Sequence, residues 1–248
     1  MIPKYIFIIP YRKREEHLFF FKKYMKYNLE DYKEHEYEII FVHQKNNLSF
    51  NRGAMKNMGF IYVKEKYPEF YNSIILIFND IDTVPYKKGL IDYNVEFGNI
   101  NHYYGYTFAL GGIFSIRAGD FEKLNGFPNY WGWGFEDNVL NKRAIEHKIN
   151  INRSNFYPIQ SMQILHFFDN YKKKINTNIL NKHTNKNYKE KDGLSFLKNY
   201  KYEIDKNNQM IHVLEFKTLY SSKFKFDYHN ILNGHKIKVR QNKMKMKF

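Results

Sequence analysis

Residues 73–82 read Ser-Ile-Ile-Leu-Ile-Phe-Asn-Asp-Ile-Asp, a strand candidate over 73–78, apolar from Ile74 on, that runs into two carboxylates, Asp80 and Asp82. So short and apolar a run suits a strand buried on both faces, as in the middle of a parallel sheet. Toward the N-terminus, residues 4–9 (KYIFII, closed by Pro10) and 38–43 (EIIFVH) repeat the pattern. Between them Leu18, Phe21 and Met25 recur at helical spacing behind the acidic pair Glu15 and Glu16, which predicts a helix over 15–29. Ala54, Met58, Ile61 and Tyr62 mark a second helix before the opening stretch. The order β-α-β-α-β predicts an α/β fold wound right-handedly, with a ligand crevice at the C-terminal ends of the strands. Asp80 and Asp82 stand at that edge.

Downstream, residues 111–117 (GGIFSIR) form a further strand candidate, and 136–147 a third helix with Val139, Leu140 and Arg143 on successive turns. Residues 170–191 are dense in Lys and Asn and read as a mobile loop or solvated helix, and 200–219 alternate weakly as strands. No internal repeat is present.

The chain has 248 residues, enough for one α/β domain with a buried core and short for two with linkers. Hydrophobic residues at 43% exclude disorder over most of the length. The net charge of +15 favours anionic partners, whether polyanions, diphosphates or anionic surfaces. Cysteine is absent, which excludes disulfides, thiolate metal sites and a cysteine nucleophile. The apolar run at residues 5–9 is far short of the roughly 18 needed to span a bilayer, and no cleavage pattern follows it, so a cytoplasmic protein is expected.

Four segments carry chemistry. Asp80 and Asp82, two apart, share one side of an extended chain, where with a hard divalent ion they can chelate a diphosphate; the alternative is a turn capped by one of them. Residues 9–18 (IPYRKREEHL) send Arg12 and Arg14 out of the first strand, and 50–53 (FNRG) offer Phe50 and Arg52, suited to a base and a phosphate or simply to a basic surface. Residues 125–138 (NGFPNYWGWGFEDN) hold both tryptophans, Trp131 and Trp133, among glycines, with Glu136 and Asp137 at a helix start. Flat indoles stack on sugar faces and a carboxylate beside them accepts a hydroxyl proton; the alternative is a capped helix over a buried Trp pair.

In order and spacing these segments, with FNRGAMKNMGF, IFNDIDTVP, GGIFSI and a closing His166-Phe167-Phe168-Asp169, resemble the β-1,4-galactosyltransferase family over about residues 4–215. The resemblance implies a GT-A type nucleotide-sugar fold, a mixed, mostly parallel sheet flanked by helices, as a catalytic domain over 1–215 with a basic extension over 216–248. It implies inverting transfer of a hexose from a UDP-sugar to an acceptor sugar. Pro10, Tyr11, Arg12, Arg14, Phe50, Arg52, Asp80, Ile81, Asp82, Gly112, Trp133 and Asp169 would hold the donor. Trp131, Trp133, Phe135 and Asp137 would meet the acceptor, with Asp137 as catalytic base and Glu136 on donor hydroxyls. Asp82 and His166 would ligate Mn2+, with Mg2+ as the alternative, and residues 170–191 correspond to the family's lid. Family members usually carry a membrane anchor and no such segment is read here, so either the sequence is truncated or, as expected, the setting is a microbial or virus-infected cytoplasm, with peripheral membrane contact through the basic tail as an option.

The departures are specific. Gln163 stands where the family often places a metal-ligating Met, Met162 lying one residue earlier; Phe135 replaces a family glycine; and Ala109 stands where vertebrate members carry a Tyr that crowds an N-acetyl group, which implies tolerance of GalNAc or another hexose. The rival expectations are glucose or GalNAc as donor, a polyanion or nucleic-acid binder using the eight Lys and Arg of residues 223–248, and a carbohydrate-binding module without catalysis.

Overall fold

The computed structural model describes residues 1–168, 173–183 and 188–229. The opening stretch forms the third strand of the expected series: β1 (Tyr5–Tyr11), α1 (Glu15–Asn28), β2 (Tyr37–Gln44), α2 (Arg52–Lys66) and β3 (Ile75–Asn79). β2, β1 and β3 lie side by side and parallel. Alternate residues of β1 serve opposite faces: Ile6 and Ile8 join Met55, Met58 and Phe60 of α2, while Phe7 and Ile9 join Phe21 and Met25 of α1. Helices on opposite faces are what two right-handed crossovers running in opposite directions require. β1 extends through Pro10 instead of stopping before it. Its pairing with β3 ends at Ile8, and the open side beyond is where a residue without an N–H is tolerated.

After β3 come β4 (Thr83–Pro85), β5 (Asn99–Gly105) and β6 (Ile113–Arg117), then α3 (Ala118–Lys123) and α4 (Glu136–Glu146). β6 runs antiparallel to β3 and β5, so the parallel series β2, β1, β3 ends at the strand that leads into Asp80. β5 has no apolar run (NINHYYG) and is absent from the sequence reading, because its strand character comes from pairing. The short strands β7 (Asn150–Asn152) and β8 (Tyr157–Pro158) extend this edge along β5. β9 (Ile164–His166) instead pairs with β4.

Residues 170–191, expected to be a loop or a solvated helix, contain β10 (Lys173–Asn176) and α5 (Thr177–His183) among their described residues. β10 pairs with β13 (Phe226–His229), and Asn176 and Ile179 are buried, because the apolar side of α5 has Tyr130 and Val139 to pack on. β11 (Lys198–Asp205) and β12 (Met210–Lys217) complete a nine-stranded sheet among the described residues, β12 parallel to β2. The expected 215/216 boundary therefore falls inside a strand of the central sheet. No described helix is long and apolar enough to cross a membrane.

Two histidines of the sheet are held neutral. His43 on β2 lies with its Nδ1 3.0 Å from that of His212 on β12. Burial, with His212 and nearby cations, holds its pKa down to about 4. His102 on β5 accepts the Arg153 guanidinium at Nδ1, so its Nε2–H points at the carbonyls of Tyr104 and Gly111, 3.1 and 3.0 Å away; burial lowers its pKa to about 4. Unfolding restores both to near 6.5, so between 6.5 and 4 the unfolded chain binds more protons and stability falls as pH falls. The melting temperature should drop across that window, and a flat profile there would rule out two buried neutral imidazoles.

Candidate functional site

The loops following β1, β2 and β3 and the start of α4 enclose a cleft of about 820 Å³. Its floor is built at the end of β3. The buried Asn79 amide donates to the carbonyls of Asp80 (2.7 Å) and Thr83 (2.8 Å), closing a tight turn. That turn corrects the reading of residues 80–82 as extended. The two carboxylates diverge into two networks, because the turn's internal bonds take precedence over a straight strand.

Asp82 faces Arg14 at 2.9 Å and the His166 Nε2 at 3.9 Å. The β4–β9 ladder places Thr83 opposite His166, and the Phe167 N–H donates to the Asp82 carbonyl at 2.8 Å, so backbone pairing holds the two side chains together. The Tyr104 hydroxyl sits 3.3 Å from His166 Nδ1, orienting the ring with Nε2 toward Asp82. Two metal–ligand bonds of about 2.1 Å span at most about 4.2 Å, so one divalent ion fits between this carboxylate and this imidazole. No described group of three or more acidic or His side chains could hold a metal, so the remaining positions would go to water and ligand oxygens. Met162 is 87% exposed, and the Gln163 side-chain oxygen accepts from Ser161 instead of lining the cleft; neither offers a third ligand.

Asp80 enters the other network. Arg52, the first residue of α2 and held there by the Asn51 cap (Ala54 N–H to Asn51 Oδ1, 2.9 Å), reaches three carboxylates: Glu136 at 2.7 Å, Asp80 at 3.0 Å, and Asp137. Lys56, one turn on and almost fully buried, donates to Asp137 at 3.1 Å and lies 3.8 Å from Asp80. Burial alone would push all of these acids up. The cations overcome it for Asp80 and Glu136, whose pKa values are lowered, Arg52 first among the cations in each case. For Asp137 burial wins, aided by Glu136 and Asp80, and its pKa is raised. Burial opposes the charge on Arg52, yet Asp137, Asp80 and Glu136 together hold its pKa well above the ordinary value. Asp137 is thus the better proton acceptor of the group, against two acids kept ionised.

Asp137 lies against the Gly111–Gly112 turn, with its backbone carbonyl bonded to the Leu110 N–H at 2.9 Å. A Cβ on Gly111 would stand 2.5 Å from the Asp137 carboxylate. Gly111→Ala should therefore displace that carboxylate and lower turnover at least tenfold, at a stability cost of about 1–3 kcal/mol. An alanine variant with wild-type turnover would show that the carboxylate position is not critical.

Of the predicted residues, Pro10, Arg12, Arg14, Phe50, Ile81, Gly112, Trp133, Phe135, His166 and the acids and Arg52 above all line the cleft. Two do not. Tyr11 is 5% exposed and turned into the core, its ring edge-on to His43. Trp131, expected at the acceptor, is 2% exposed, stacked on Phe216 at 5.0 Å, its indole N–H given to Thr218 and the Tyr220 carbonyl. The two tryptophans are separated by Gly132 at φ +87°, which turns one inward and leaves the other, 38% exposed, at the cleft. Asp169 lies outside the described residues. Sequence reading missed Lys56 and Tyr104. Lys56 carried a signal, four residues after Arg52 and so on the same helix face, whereas Tyr104 depended on the undetected β5.

Against known proteins, residues 2–94 match the family model described as the N-terminal region of glycosyl transferase group 7, and residues 92–169 the model described as the N-terminal domain of galactosyltransferase. The chain belongs to the β-1,4-galactosyltransferase family. Beta-1,4-galactosyltransferase 4 of Cricetulus griseus is 32% identical over 157 residues, 60% of this chain and 44% of the relative. The Xylosylprotein 4-beta-galactosyltransferase of Caenorhabditis elegans is 31% identical over 155 residues, 59% of this chain and 52% of the relative. The chain thus spans about half the length of the curated relatives it matches. A Drosophila β1,4-galactosyltransferase 7 mutant solved with manganese, UDP-Gal and xylobiose superposes with a TM-score of 0.69 at 22% identity, over 86% of this chain and 94% of that one, and shares the GT-A fold.

Phe135 caps α4 at φ +68°, a left-handed conformation that ordinarily favours glycine, and its ring stacks on His183 at 4.7 Å.

Proposed function

We propose that this chain is an inverting glycosyltransferase that moves a hexose from a UDP-sugar to an acceptor sugar hydroxyl, with Mn2+ held by Asp82 and His166. The observation that carries the reading is a single cleft, in a member of this family, holding a carboxylate–imidazole pair spaced for one ion and a largely buried carboxylate, Asp137, beside an exposed indole. The mixed O,N donor set suits Mn2+ better than Mg2+. When bound, the ion supplies Lewis-acid stabilisation of the departing diphosphate. Arg12 and Arg14, at the end of β1, would grip the nucleotide, and Trp133 would stack on a sugar face. Asp137 would take the acceptor hydroxyl proton as that oxygen attacks the anomeric carbon, and UDP leaves from the opposite face. Arg52 and Lys56 hold Asp137 in place throughout.

Galactose is the preferred donor on family grounds. Ala109, on the cleft wall, offers little bulk there, which favours tolerance of GalNAc. The test is UDP release from a panel of UDP-sugars, with and without Mn2+ and simple acceptor sugars. Mn2+-dependent, acceptor-stimulated release supports the transferase and names its donor, and Ala109→Tyr should then reduce GalNAc transfer relative to galactose. No release from folded protein under any condition would favour a binding module.

A further inference from the structure

Lys173 opens β10, a segment read from sequence as solvated. β10 is clamped from two sides. Lys174 accepts the Trp133 N–H at 2.7 Å, the Asn176 amide donates to the Trp131 carbonyl at 3.0 Å, and β13 pairs along the other edge. The clamp brings the Lys173 side chain to the wall of the cleft, its ammonium 4.6 Å from the centre of the Trp133 ring. Burial first, then Arg52, lowers its pKa, with Arg14 adding to them, while Asp82 and Asp80 favour the charged form.

The other cations around the acids are committed. Arg14, Arg52 and Lys56 each have a carboxylate within 3.1 Å. Lys173 comes within 4 Å of no carboxylate among the described residues, and the indole face is its contact. A cation held over an aromatic ring, in the field of acids but bonded to none among the described residues, has its hydrogen-bond donors available to an incoming anion. Asp82, the carboxylate that would hold the ion, is among the charges that act on Lys173.

We propose that Lys173 is a leaving-group residue: its ammonium donates to the diphosphate of the nucleotide donor, opposite the Asp82–His166 side. This rests on the reading of the chain as a UDP-sugar transferase. The bond between the anomeric carbon and the terminal phosphate oxygen breaks, its electron pair staying on that oxygen. The acceptor oxygen forms the new bond, its proton passes to Asp137, and Lys173 keeps its protons throughout.

Isothermal titration with UDP in the presence of Mn2+, on wild type, Lys173→Met and Lys173→Arg, tests the assignment. Lys173→Met, which keeps the length and apolar contact on Trp133, should bind UDP at least tenfold more weakly with an unchanged melting temperature. Lys173→Arg should recover most of that affinity, and uridine, which lacks phosphates, should bind wild type and Lys173→Met alike. Equal UDP affinity in wild type and Lys173→Met would overturn the assignment and leave Lys173 a prop for Trp133. If wild type itself fails to bind UDP, the transferase reading falls and this inference with it.

Discussion

Asp137→Asn is expected to cut acceptor-stimulated UDP release by at least about 100-fold, the usual contribution of a positioned general base. The substitution keeps the shape of the side chain and removes the proton acceptor. UDP affinity should stay within a few-fold, because Arg12, Arg14 and the Asp82–His166 pair do not touch this residue. Some stability should be lost as well. Lys56 has a neutral amide oxygen in place of the carboxylate at 3.1 Å, its remaining acid is Asp80 at 3.8 Å, and the amide now faces two cations. Turnover is therefore to be measured well below the variant's melting transition. More than a tenth of wild-type turnover remaining would remove Asp137 from the role of base.

The second large effect is expected from Arg52→Met. With one guanidinium serving three buried carboxylates, its removal should cost about 3–5 kcal/mol at pH 8. The deficit should shrink in acid. Without the guanidinium, Asp80 and Glu136 lose the cation that holds their pKa values below the ordinary carboxylate range. The folded variant then binds more protons than the unfolded chain, so its stability rises as pH falls. Melting temperatures of variant and wild type at pH 8 and pH 5.5 measure this, and a gap that stays constant or widens in acid would contradict the network. In turnover assays the acid limb of the pH profile should move upward, since Asp137 also loses its nearest cation.

Much of this site could be read from residues 4–82, because local rules suffice there. Short, β-branched apolar runs bounded by turn residues suit strands buried on both faces, and the chain leaving parallel strands emerges at one edge. That logic located Arg12, Arg14, Arg52, Asp80 and Asp82 at the cleft. It failed where identity depends on partners. Trp131 and Trp133 are chemically identical and two residues apart, yet one is core and the other lines the cleft. Gly132 permits that turn, but only Phe216 and Lys174, far along the chain, decide which ring goes inward. Lys173 is a comparable case: in a Lys- and Asn-rich stretch its side chain has the composition of a solvated surface, and only clamping of β10 brings it to the cleft.

By itself the sequence determined the α/β order of the first eighty residues, the edge at which chemistry collects and the family to which the chain belongs. Spacing and hydrophobic period are properties of neighbouring residues, and they act without tertiary context. The tertiary structure alone decided how charge is distributed among the acids. Asp80 and Asp82 differ in role because a turn aims one at Arg52 and the other at Arg14 and His166. Asp137 differs from its neighbour Glu136 because burial outweighs two cations at one carboxyl and yields to them at the other. Such balances depend on distances of 3 to 4 Å between residues up to 85 positions apart, a separation over which sequence spacing carries no geometric information.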